Sequence, residues 1–206
     1  MNKALYRHLP AVPFEVVMIG GAIVTFSQGN WKHFAASLFT LVVCFVPLLA
    51  EKLFRIILPA AIHFIFAAFI FTSFFSGEVM HFYKNIWYWD DLMHFSSSFM
   101  IGTFMMMGLI IVKKRYKKFF VPPWLRALIV FSATIAVTII WEISEFASDE
   151  IFGTFSQGAD LFDTMMDIVY ETTSAAIAAW IWILYGKSRK VALITPLLNH
   201  FARLNP

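Results

Sequence analysis

The sequence predicts an all-α fold, a polytopic membrane protein built as a bundle of about six transmembrane helices. Three observations predict it. The 206 residues are 60% hydrophobic and 14% charged, where a soluble domain carries about 25% charged residues. The apolar residues gather in six runs, each close to the ~20 residues that cross a bilayer as a helix. The basic residues collect in alternate connections between those runs, as the cytoplasmic preference of lysine and arginine requires. The length suits a single transmembrane helical domain over 1–206.

Taken in order, the first span is predicted over 10–27. Lys3 and Arg7 precede it in the manner of a signal peptide, but no small-residue cleavage site follows, so the run is kept as a span. The second covers 33–50 and holds Cys44, a lone cysteine that has no partner for an internal disulfide. The third covers 56–76, the fourth 91–112, the fifth 124–148 and the sixth 163–185. Short connections join them, and no internal repeat or low-complexity linker is visible. The tail over 191–206 is apolar but interrupted by Pro196, and is read as a surface segment with no helix assigned.

With the N-terminus placed inside, every lysine and arginine except Lys32 and Lys84 falls on the inner side. Six spans then leave both termini cytoplasmic. The acids were not used to set this orientation, yet they show the opposite bias. Only Glu15 and Glu51 lie toward the inner side; all the others lie toward the outer one. So many like charges need neutralisation, by protons or by bound cations.

Helical spacing groups those outer acids. Residues three or four apart share a helix face. Asp90 and Asp91 stand four and three before His94; Glu142, Glu145 and Asp149 step along the fifth span; Asp160, Asp163, Asp167 and Glu171 step into the sixth. The apolar run from Leu125 to Trp141 is about 26 Å long at 1.5 Å per residue, which sets Glu142 near the outer interface. Glu171 lies about one turn deeper than Asp167. Ionisable groups inside a span cost on the order of 2.5–3.5 kcal/mol each and normally face a partner in the bundle. Carboxylates and an imidazole on adjacent helices are the donors from which helical bundles build metal sites. The predicted ligands are Asp90, Asp91, His94, Glu142, Glu145, Asp163, Asp167 and Glu171. An oxygen-rich set with one histidine and no thiolate suits a divalent metal ion such as Mg, Mn, Ca, Fe or Zn. The bland alternative is helix capping, which fits Asp90, Asp91, Asp160 or Asp163 at a helix N-terminus. It fails for Asp167 and Glu171 inside the sixth span. Asp149 and Glu150 read as loop surface.

Other features carry less. Ser96, Ser97 and Ser98 beside His94 read as packing serines rather than nucleophiles. Glu15 and His63 lie at similar depth from the inner face and are a candidate pair, against the plainer reading of His63 as a core histidine. Trp31, Trp87, Trp89 and Trp141 fit an outer aromatic belt. The run KKRYKK over 113–118 is a topology signal at anionic lipid rather than a nucleic-acid site.

The stretches DDLMHF, WEISE and QGADLFDTMMD resemble the YjdF-like family of bacterial inner-membrane proteins and, more distantly, the VanZ-like family associated with teicoplanin resistance. The resemblance covers roughly 87–180 and maps a shared pattern onto Asp90, His94, Glu142, Asp163 and Asp167. It implies a multi-pass protein of the bacterial inner membrane. Glu145 stands where VanZ-like proteins tend to have glutamine, no arginine precedes the aspartates, and Glu171 replaces a small polar residue. These departures favour cation binding and weaken transfer of a resistance role.

Three functions follow as expectations. The first is a metal-dependent hydrolase or transferase acting on a lipid or lipid-linked envelope substrate, with Glu142 as base. The second is a proton- or cation-coupled transporter, against which stands the absence of an inverted repeat. The third is a non-catalytic envelope protein knitted together by cations. Membrane lipids are the expected partners.

Overall fold

The computed structural model describes residues 3–116, 121–154, 156–157 and 161–206. Every regular element among them is helical. Six helical stretches are long and apolar enough to cross a membrane: Lys3–Ser27, Trp31–Phe54, Ala60–Val79, Trp89–Arg115, Pro123–Phe152 and Leu161–Gly186. Their surfaces suit lipid, since Val16, Ile23, Val42, Leu53 and Trp180 are all exposed. An apolar helix face without protein cover is unfavourable in water and ordinary in a bilayer.

The first span begins before the predicted Pro10. Helix α1 (Lys3–His8) passes through a 3₁₀ turn at Leu9–Ala11 into α2 (Val12–Ser27). Pro10 and Pro13 each fall in a first turn, where the missing N–H has no acceptor to lose. After Gly29, Asn30 caps α3 (Trp31–Val43) by accepting from the His33 N–H at 3.2 Å. The second span continues into α4 (Val46–Phe54), which Arg55 ends in the left-handed conformation. The third is α5 (Ala60–Ile70) prolonged by a π-helical stretch, Phe71–Val79. The short α6 (Phe82–Asn85) precedes α7 (Trp89–Arg115), α8 (Pro123–Phe152) and α9 (Leu161–Gly186). Gly153, at φ 63°, closes α8.

The tail corrects the reading that assigned it no helix. Residues Ile194–Leu204 form α10, because Pro196 lies in its first turn and breaks no intrahelical bond. Leu198 and Phe201, three apart on one face, are fully buried.

The chain divides into two compact units, Met1–Trp89 with Asn199–Pro206, and Asp90–Leu198. In the first, α2 runs along α3, and Gly21 admits the ring of Phe75: a Cβ there would lie 2.4 Å from it. Asn205 pairs with the backbone of Ile57, accepting from its N–H at 2.7 Å and donating to its carbonyl at 2.8 Å. The anticipated Glu15–His63 pair is not direct. His8 stands between them, 2.6 Å from Glu15 and 3.0 Å from His63.

In the second unit, α8 lies along α9. Ser98 donates to the carbonyl of Glu171 at 2.7 Å and Ser174 to that of Phe95 at 2.8 Å, tying α7 to α9. These are the packing roles expected of serines in spans. One turn further along α7, a Cβ on Gly102 would meet Ala178 at 2.6 Å and the Thr134 hydroxyl at 3.5 Å. That close approach of three helices positions the site above it.

Candidate metal centre

Three helices of the second unit bring their polar ends together. Asp90 and His94 lie in the opening turns of α7, Asp167 and Glu171 in the first half of α9, and Glu142 in the second half of α8. Antiparallel neighbours place those segments at one end. Trp89, Asp90 and Asp91 begin α7, where the helix dipole favours negative charge, and i,i+4 spacing turns Asp90 toward His94.

His94 is the centre. Its Nδ1 lies 3.1 Å from Glu171 Oε1 and 3.3 Å from Glu142 Oε1. Its Nε2 lies 3.5 Å from Asp90 Oδ1 and 3.9 Å from Asp167 Oδ1. His94, Glu142, Asp167 and Glu171 are buried, whereas the Asp90 side chain retains 35% exposure and marks the open side. One imidazole therefore serves two groups of donors. Asp90, His94 and Asp167 form one, His94, Glu142 and Glu171 the other, with the donor atoms of each within 4.8 Å of one another.

The hydrogen bonding is incomplete. Both oxygens of Glu142, Oδ1 of Asp167 and Oε2 of Glu171 are buried without a hydrogen-bond partner among the described residues. An unsatisfied buried carboxylate oxygen costs more than a neutral polar atom. Among the described residues, no lysine or arginine forms an ion pair with any of these four carboxylates, and all four face His94. Such a set can hold a cation, or it can share protons across a histidine-centred salt-bridge network.

Five of the eight sequence-predicted ligands thus meet: Asp90, His94, Glu142, Asp167 and Glu171. Asp91, Glu145 and Asp163 fall outside both donor groups, each partly buried at the periphery. Asp91 interacts with Tyr170, a residue that no motif singled out. Its signal lay in spacing, since Tyr170 adjoins Glu171 and stands three after Asp167. Asp149 is no ligand. It lies in the last turn of α8 and not in a loop, as does Glu150, and it accepts from the Ser156 and Gln157 N–H groups at 2.7 and 3.0 Å, shaping the turn that follows the helix. Asp160, weighed as a cap, lies outside the described residues.

Comparison with known proteins adds a family. The family described as predicted membrane protein (DUF2238) matches residues 8–188, a stretch that takes in every residue of the cluster. An uncharacterised protein of Thermotoga maritima is 29% identical over 127 residues, which is 62% of this chain and 64% of that protein. The matched region thus spans less than two thirds of that relative's length. No solved structure matches.

Proposed function

The chain belongs to the DUF2238 family of predicted membrane proteins, and from that premise we propose that its work is done by a divalent cation held at the His94 cluster. The observation that carries the reading is the set of buried carboxylate oxygens without hydrogen bonds around a single imidazole. A metal-binding histidine normally uses one ring nitrogen for the ion and donates from the other to a carboxylate. The Nδ1 contact to Glu171, at 3.1 Å, has hydrogen-bond geometry. The Nε2 face, with Asp90 and Asp167 farther off and Asp90 partly exposed, is the face for the cation. Glu142, buried beside Nδ1, is left as a proton acceptor.

The finer reading is a YjdF-like protein of the bacterial inner membrane with both termini cytoplasmic and the cluster toward the outer side. The VanZ-like likeness rests on the quoted motifs alone. The activity we propose is metal-dependent hydrolysis or transfer on a lipid or lipid-linked envelope substrate. A cation held by His94, Asp90 and Asp167 would supply polarisation of a phosphoryl or ester oxygen and acidification of bound water, and Glu142 is the carboxylate beside it that would accept the proton of the nucleophile. Proton- or cation-coupled transport is the second reading, favoured by His94 having carboxylates on both faces, across which it could pass a proton.

Metal content of detergent-purified protein, measured by mass spectrometry, tests the centre. About one equivalent of divalent metal is expected, lost in His94→Ala and Asp167→Asn and kept in Glu142→Gln. Absence of metal in protein supplied with each candidate ion would overturn the cation reading and leave the proton-sharing network. Given metal, turnover of lipid-linked phosphate or ester substrates that falls about a hundredfold or more in Glu142→Gln would support catalysis.

A further inference from the structure

A second buried polar chain lies wholly within the first unit. Arg7 grips Glu51 through Nε at 3.1 Å and Nη2 at 3.0 and 3.1 Å, and the Leu58 N–H donates to the same carboxylate at 2.7 Å. Every one of those bonds is donated to Glu51, which fixes it as an acceptor. His63, fully buried, places Nε2 at 3.7 Å from Glu51 Oε1 and Nδ1 at 3.0 Å from His8 Nδ1. His8 then reaches Glu15 through Nε2 at 2.6 Å. Phe45 stacks on the His8 ring at 5.3 Å between centroids. Cys44, also buried, is within electrostatic reach of Glu15.

Two facing ring nitrogens 3.0 Å apart require one proton between them, because two lone pairs repel and two N–H groups clash. His63 Nε2 is buried with no hydrogen-bond partner among the described residues, so it can be either bare or protonated toward Glu51. With both rings neutral, this hydrogen-bonded chain therefore has two self-consistent registers. With three protons, Glu15 O–H donates to His8 Nε2, His8 Nδ1–H donates to His63 Nδ1, and His63 Nε2–H faces Glu51. With two, His8 Nε2–H donates to the Glu15 carboxylate, His63 Nδ1–H donates to His8 Nδ1, and His63 Nε2 is bare. One proton is lost, and each remaining proton crosses one contact. Both rings are neutral in both registers.

We propose that Glu15, His8 and His63 form a proton relay, anchored by the Arg7–Glu51 pair. A proton bound at the Glu15 end is released at His63 Nε2, and the reverse. The relay uses no residue of the His94 cluster and does not depend on its reading as a metal centre. The groups that face it are Arg7 and His8 from α1, Glu15 from α2, Glu51 from α4, His63 from α5, and Cys44 between α3 and α4.

Full-length protein carrying ¹⁵N-labelled histidine, embedded in lipid bilayers, tests this by solid-state NMR across a pH series. Each ring is assigned with His8→Gln and His63→Gln. The expected result is a through-bond coupling between the two Nδ1 atoms, with the proton passing from one ring to the other at a single shared midpoint. Glu15→Gln, which cannot ionise, should hold one register at every pH. Independent titration of the two rings, a proton that never changes owner, or an inversion that survives in Glu15→Gln would each overturn the proposal. Should Glu15→Gln not fold, the wild-type series alone decides between concerted and independent behaviour.

Discussion

Arg7 shows how far a single residue can depart from its sequence-level role. In the sequence it counts as one of many inner-side cations; in the structure it clamps Glu51 through Nε and Nη2 of its guanidinium. Positive-inside reasoning records sign and position but not partners, so the pairing across 44 residues was invisible to it. Arg7→Ala leaves Glu51 buried and short of donors. We expect a loss of about 3 kcal/mol, seen as a lowered melting temperature in detergent. Lys32→Ala should change little, because its 4.0 Å contact to Glu78 is exposed on both sides. Gly102→Val should destabilise by about 1–3 kcal/mol, since even a Cβ would sit 2.6 Å from Ala178. The His94 cluster was more legible than Arg7. Its members recur at helical spacing and stand out against an apolar background, and only the choice among neighbouring carboxylates required the three-dimensional packing.

At the level of elements, hydropathy located all six spans but not their ends. The predicted edges stopped at proline or charge. The helices continue through both wherever a proline falls in a first turn, as Pro10, Pro13 and Pro196 do. The π-helical stretch after Ile70 had no signature in the apolar pattern, because backbone register follows neighbours as well as composition. Asn30 is a cap that could have been recognised, a turn residue behind a glycine and before an apolar run. Its replacement by alanine removes the bond to the His33 N–H and should cost about 1 kcal/mol, read from the same thermal melts.

For the molecule as a whole, each compact unit carries its own buried polar centre, which makes the two experimentally separable. Hydrogen exchange with and without added divalent cation should show slower exchange in α7, α8 and α9 on loading, while α1 to α5 keep their rates. Uniform protection throughout the chain would contradict local binding at His94. The order of synthesis gives the Asn205–Ile57 pairing a further meaning. Its partners lie 148 residues apart, so the backbone of Ile57 is made and inserted long before its clasp exists. Until then water at the partly exposed edge must hold those groups. The stretch leading into the third span is completed only once α10 and the Asn205 that follows it have been made.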